Sequence, residues 1–267
     1  MITSTANAQV KELVRLMKKS RAREVAGVFI VEGPRMAGEL VDDPAWKDRI
    51  DRVYLSESYV GKHKEETDQI RKACRMEILA DNVFAHVSDT KTPQGILAVA
   101  KRREYDLKDI TGGAPERSLV IVLDQLQDPG NLGTIFRTAE AAGATGVLLS
   151  RDCVDIYNPK VTRSTMGAVF RLPFLYVDDL PGAVSELKKE GIRVFAAHLE
   201  GENTYDKEDY SGGTAFLIGN EGNGLRNEVA ECADCRIRIP MQGKAESLNA
   251  AVAAAVLIFE VSRQRRE

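Results

Sequence analysis

The chain has 267 residues, 43% of them hydrophobic and 29% charged, with 37 Lys and Arg against 40 Asp and Glu. Such a chain can bury a core in one large domain or two modest ones, and its composition excludes wholesale disorder, a collagen-like repeat and a disulfide-rich miniprotein. Its longest apolar run, Ala250 to Phe259, is about half the roughly 20 residues a membrane span needs. No apolar segment of a secretory signal follows the first charges, so cytoplasmic residence is expected.

Residues 7–19 place Val10, Leu13, Leu16 and Met17 at helical spacing and predict a helix. A basic cluster overlaps it: Lys11, Arg15, Lys18, Lys19, Arg21 and Arg23 against Glu12. Such a cluster suits phosphate contact or a solvated helix face. Strands are expected at Val28–Val31, Val53–Leu55, Glu77–Leu79 and Ile96–Val99, with helices from Pro34 to about Leu40 and from Lys64 to Cys74. This alternation predicts a small α/β domain over residues 1–106. Charges, Gly112-Gly113 and Pro115 then mark a linker at 107–117.

The second domain, 118–267, restarts with apolar Ser118–Leu123. Further strands are expected at Gly146–Ser150, Pro173–Val177, Arg193–Ala197, Ala215–Ile218 and Arg236–Ile239, and a helix at Ala250–Arg263. Strands alternating with helices predict an α/β fold with a parallel sheet covered on both faces. Residues 1–106 carry 19 Lys and Arg against 17 acids; residues 107–267 carry 18 against 23. Cys232 and Cys235 form a lone C-x-x-C, with Cys74, Cys153 and the three histidines far away in sequence. Two small residues near a helix end, and no metal, are the expectation.

In open α/β sheets, ligands bind beyond the carboxyl ends of strands. Three such ends carry unusual sequence here. In LDQLQDPGNLGTIFRTAEAAGA (123–144), Gly130 and Gly133 permit a tight turn, and Asn131 and Arg137 lie within about two helical turns. Arg137 offers a planar fork to phosphate. In FLIGNEGNGL (216–225), Gly219, Gly222 and Gly224 surround Glu221, where backbone amides can cradle a ligand or simply turn the chain. In RIRIPMQGKAESLNAAVAAAVLIFE (236–260), Ser247, Leu248 and Asn249 open an alanine-rich helix, where Ser247 reads as a cap. Neither the dinucleotide G-x-G-x-x-G nor a P-loop is present, which argues against a nucleotide-dependent oxidoreductase.

Together, NLGTIFRTA (131–139), GNEGNGL (219–225) and IPMQGKAESLN (239–249) resemble the three ordered motifs of the SpoU/TrmH family of RNA ribose 2′-O-methyltransferases, in the SPOUT superfamily. NPKVTRSTMGAVFRLPF (158–174) is also similar, and VEGPRMAGEL (31–40) and TPQGILAV (92–99) resemble the family's substrate-binding domain, which is like a ribosomal RNA-binding protein. The resemblance implies a C-terminal trefoil knot, a homodimer and an S-adenosylmethionine pocket. Gly219, Ile239 and Leu248 would line that pocket, joined by backbone at Ala197, His198, Asn220, Met241 and Asn249. It implies catalytic roles for Asn131, Arg137, Glu221 and Asn249: Arg137⁺ would hold a phosphate and the developing alkoxide, Asn131 would position the ribose or Arg137, and Glu221 would orient Arg137 or accept a proton. RNA contacts are expected from Arg21, Arg23 and Lys91. The two-domain form favours large-subunit (23S) rRNA as substrate, for housekeeping or for resistance. A tRNA methyltransferase and a non-catalytic ribosome-assembly factor are the alternatives.

Overall fold

A computed structural model describes residues 1–266, which divide into two compact units. The first comprises Met1–Arg103 together with Asp155–Gly167. Its sheet contains β1 (Val28–Glu32), β2 (Ile50–Ser56), β3 (Met76–Leu79) and β4 (Ile96–Lys101) in the order β1-β4-β2-β3. β4 runs antiparallel to both β1 and β2, and β2 pairs with β3 in parallel. The helix Ala8–Lys18 is capped by the Asn7 side chain and buries the expected stripe Val10, Leu13, Leu16 and Met17. That stripe packs with Val83, Phe84 and Val87 of the helix Asp81–Val87.

Residues 155–167 lie in sequence within the stretch read as the second domain, yet they pack with the first unit. Tyr157 meets Phe29 with ring centroids 4.6 Å apart, and the Arg102 guanidinium sits 4.6 Å from the centre of the Tyr157 ring. Asp155 pairs with Arg23 at 2.6 Å and accepts from Ser20 at 2.7 Å. Arg23, expected to meet phosphate, is only 2% exposed. Its guanidinium also donates to the carbonyls of Leu16 (2.8 Å) and Met17 (3.3 Å), in the last turn of the helix Ala8–Lys18. Terminal carbonyls of a helix need such donors, so Arg23 serves the fold and is withdrawn from RNA contact. Arg21 and Lys91 are exposed.

The second unit comprises Glu104–Val154 and Ala168–Glu267. Its sheet is built from β5 (Leu119–Leu123), β6 (Gly146–Ser150), β7 (Phe174–Val177), β8 (Arg193–Ala197), β9 (Asn203–Thr204), β10 (Thr214–Ile218) and β11 (Cys235–Arg238), in the order β7-β6-β5-β10-β8-β11-β9. All six neighbouring pairs are parallel. Every residue of β5, β6 and β10 is buried, as strands covered on both faces require. β9 has only two residues, too short to leave a period in the sequence.

The stretch expected as a linker is part of this unit. The helix Leu107–Thr111 opens on a capping box between Asp106 and Asp109, and its Ile110 is fully buried in the core beside Val120 and Leu148. Ile110, with Leu107 packed against the same core, anchors it among charges and glycines. The helices Pro129–Ala141 and Ala250–Gln264 pack against each other. The first buries Leu132, Gly133, Ile135, Phe136 and Ala139; the second buries Ala251, Ala254, Leu257, Ile258 and Val261. No described helix is long and apolar enough to cross a membrane.

Candidate active site

The site forms where β5, β10 and β11 end. Past β5, Asp124 is fully buried. Gln125 adopts a left-handed φ of 53°, an uncommon conformation for a residue with a side chain. Two bonds fix it: its N–H donates to Ser150 Oγ at 2.9 Å, and its carbonyl accepts from Asn220 Nδ2 at 2.8 Å. Past β10 the chain closes a small ring, in which Asn220 and Gly224 exchange N–H···O bonds of 2.9 and 3.0 Å. A Cβ on Gly219 would lie 2.2 Å from the backbone of Gly224 and Leu225, so this turn admits glycine alone.

A relay of side chains joins the three motifs. Asp128 caps the helix Pro129–Ala141 by accepting from Asn131 N at 2.8 Å. The Asn131 side chain donates from Nδ2 to Glu221 Oε1 at 3.0 Å and accepts at Oδ1 from Asn249 Nδ2 at 3.0 Å. Asn249 Oδ1 in turn accepts from the N–H groups of Ala251 (2.9 Å) and Val252 (3.3 Å), capping the C-terminal helix. Each amide group therefore has a defined orientation, with donors directed toward the carboxylate. Glu221 also accepts from the N–H groups of Asp128 (3.1 Å) and Gln127 (3.3 Å). Burial pushes the Glu221 carboxyl upward, but these hydrogen bonds, Asn131's above all, outweigh it and hold the group below the ordinary carboxylate range.

Beside the relay lies a cavity of about 740 Å³, within the usual range for small-molecule sites. Ala197, Gly219, Asn220, Ile239, Met241 and Leu248, the residues expected to hold a cofactor, all line it, as do His198, Glu221, Ser247 and Asn249. Ile218, Ala253 and Leu257 complete its apolar walls. They escaped the sequence reading because each looks like an ordinary core residue, one at the end of a strand and two in an alanine-rich helix. The backbone donors of Gln127 and Asp128 also escaped it, since main-chain groups leave no trace in residue identity. Among the described residues, nothing in Ile239–Leu248 forms a hydrogen bond. Of this stretch, Ile239–Met241 and Glu246–Leu248 line the cavity, so their main-chain polar groups stand free beside its apolar walls.

Arg137 lies six residues beyond Asn131, about 9 Å farther along the helix. It is exposed, and it makes no hydrogen bond or ion pair with another described residue. The expectation that Glu221 orients Arg137 is corrected: Glu221 is taken up by Asn131 and two backbone amides. Neither Asn131 nor Arg137 lines the cavity. The four cysteines are free, and the described residues contain no group of three or more His, Cys, Asp or Glu able to hold a metal.

Comparison with known proteins agrees with this architecture. Residues 118–259 match the SpoU rRNA Methylase family, and residues 7–98 match the MRM3-like substrate binding domain. The 23S rRNA (guanosine(2553)-2′-O)-methyltransferase RlmP of Bacillus subtilis (strain 168) is 34% identical over 260 residues, covering 97% of this chain and 98% of that protein. The AdoMet-bound rRNA methyltransferase of Sinorhizobium meliloti superposes with a TM-score of 0.85 at 30% identity, covering 98% of this chain and 97% of that one. The SpoU methyltransferase AviRb of Streptomyces viridochromogenes, in complex with AdoMet, superposes equally well at 28% identity, covering 98% and 99%. The parallel seven-strand sheet with its smaller N-terminal α/β domain is the architecture of these enzymes, and the chain belongs to the SpoU rRNA methylase family.

Proposed function

We propose that the protein is a cytoplasmic, S-adenosylmethionine-dependent methyltransferase that acts on a ribose 2′-hydroxyl of 23S rRNA. The observation that carries the reading is the relay Asn249–Asn131–Glu221, whose two ends line a cavity with free main-chain groups and apolar walls that suit an adenosine. Ile218, Ile239, Leu248 and Leu257 would flank the flat base, and the backbone of 239–248 would meet its polar edge. When bound, the cofactor supplies a sulfonium methyl group, which the ribose oxygen takes as the S–C bond breaks, the neutral thioether leaves and the hydroxyl proton passes to solvent. The chain's own residues orient and polarise. Glu221 remains an ionised anchor that fixes the Asn131 amide. Asn131 and Asn249 hold the segments after β5 and β11 in register across the cavity mouth. Arg137 meets the RNA with a free guanidinium, holding a phosphate and stabilising charge on the 2′-oxygen.

We carry the trefoil knot of residues around β11 and the homodimer to this chain from the family. The dimer has support in the C-terminal helix: Val252 and Phe259, both 48% exposed, lie seven residues apart on one face with half-buried Val256 between them. An apolar stripe of this kind calls for a partner surface. Phe259→Asp is expected to convert a dimer into a monomer in sedimentation velocity; a wild-type monomer at micromolar concentration would remove the dimer from the reading.

The substrate is tested by transfer of labelled methyl from S-adenosylmethionine to unmodified 23S rRNA and, separately, to tRNA. Alkali-resistant label at one ribose of rRNA is expected. Label in tRNA alone would move the substrate and keep the chemistry. Binding of rRNA with no transfer, in a folded protein that also binds the cofactor, would favour an assembly factor.

A further inference from the structure

We propose that Arg226 is a positioning residue for methyl transfer: clamped on buried Asp124, it fixes the loop that brings Asn220 and Glu221 to the cavity. The inference rests on the reading that this cavity holds S-adenosylmethionine. The loop leaves β10 at Gly219 and returns at Arg226, beside its own root. There, one carboxylate receives the whole return: Arg226 N donates to Asp124 Oδ2 at 3.0 Å, Nε lies 3.0 Å from Oδ1, and Nη2 lies 2.8 Å from Oδ1. Asp124 is rigidly held, because it is fully buried and its own N–H donates to Ile218 O at 2.9 Å, extending the pairing of β5 and β10 by one residue.

Arg226 also pairs with Glu228 at 2.8 Å and stands just before the short helix Asn227–Ala230. It does not line the cavity, whereas Gly219, Asn220, Glu221, Gly222 and Gly224, between the two ends of the clamp, do. The clamp therefore acts on the cofactor through the loop. It also acts on the relay, since the Glu221 carboxylate is what Asn131 and the amides of Gln127 and Asp128 bind. A planar guanidinium can present Nε and Nη2 to one carboxylate with a fixed geometry, beside the backbone N–H that any residue here would donate; an ammonium brings the same charge without that geometry. The pair thus has a direction-setting role that charge alone cannot fill.

The test compares wild type, Arg226→Lys and Arg226→Met. Affinity for S-adenosylmethionine is measured by calorimetry, kcat and both KM values with 23S rRNA, and the unfolding midpoint by scanning calorimetry. Arg226→Lys is expected to stay folded with RNA KM within about twofold of wild type, while cofactor affinity falls roughly tenfold or more and kcat falls with it, as small misplacements of a site do. Arg226→Met is expected to be worse in cofactor affinity, so that lysine rescues in part. Should Arg226→Met fail to fold, Arg226→Lys alone decides. A folded Arg226→Lys protein with wild-type cofactor affinity and kcat, and only a lower midpoint, would overturn the positioning role. Wild type that does not bind S-adenosylmethionine would overturn the cofactor reading and this inference with it.

Discussion

Arg137→Ala is expected to lower kcat for rRNA methylation by about 100- to 1000-fold, the usual cost of losing one donor to charge that develops in a transition state. The KM for S-adenosylmethionine should hardly move, because Arg137 is not part of the cavity lining. The RNA KM should rise, because the side chain is exposed and free of intramolecular partners among the described residues. An arginine already engaged by a carboxylate would have to exchange partners before meeting phosphate; this one does not. Arginine keeps its proton in proteins, so its contribution is charge and geometry rather than proton removal. Arg137→Lys keeps the charge but loses the fork, and its kcat should fall between those of wild type and alanine. Single-turnover transfer to 23S rRNA reads the effect. A kcat within threefold of wild type for Arg137→Ala would remove Arg137 from the mechanism, and full activity in Arg137→Lys would reduce its role to simple charge.

Arg23→Met is expected to destabilise the protein by about 3–5 kcal/mol, the range for removing one partner of a buried ion pair. Arg23 is 2% exposed and Asp155 19%, so solvent screens the pair little. Without Arg23, Asp155 keeps Ser20 and the Tyr157 N–H but has no counter-charge, and the last carbonyls of the helix Ala8–Lys18 lose their donor. The double variant Arg23→Met/Asp155→Leu should recover part of the loss, since the desolvated charge is gone. Urea unfolding of the four proteins in a cycle measures the coupling; additive losses would mean that the pair is incidental. The pair also gives a pH signature. Burial raises the Asp155 carboxyl, but Arg23 and Ser20 together hold it below the ordinary carboxylate range. A depressed carboxyl contributes stability that is complete above its unfolded value and disappears as pH falls through its folded value. Wild type should therefore lose stability faster than Asp155→Asn as pH drops below about 4.

Strands buried on both faces were plain in the sequence, since β5, β6 and β10 are built on the apolar runs Leu119–Leu123, Val147–Leu149 and Ala215–Ile218 set between turns. The helix expected to begin near Leu132 starts three residues earlier, at Pro129, because Asp128 caps it as soon as the chain leaves β5. The cavity lining was legible only because three separated motifs coincide with three strand ends. What stayed hidden is long-range. Ala22-Arg23 looks like any part of a basic run, and nothing local says that an aspartate 132 positions later neutralises it. Glu221 reads as a partner for the nearest cation of the family motif, but the amide of Asn131 reaches it first. Ile110 and Leu107 sit in a stretch whose glycines and charges outweigh two apolar residues in any local window. In each case the deciding contact joins residues that no window along the chain contains.

The excursion of residues 155–167 into the first unit has a consequence for biosynthesis. Chains are made from the N-terminus, and domains generally fold as they emerge. The first unit cannot finish when Arg103 emerges, for Tyr157 and Asp155, the partners of Phe29 and Arg23, are still to be made. Until then Phe29 lacks one of its aromatic neighbours and Arg23 its counter-charge. By the time they are supplied, β5, β6 and the helix Pro129–Ala141 have already been synthesised. The two units are thus interleaved during translation, and a cut between residues 103 and 118 would leave an N-terminal fragment without its last thirteen residues of packing.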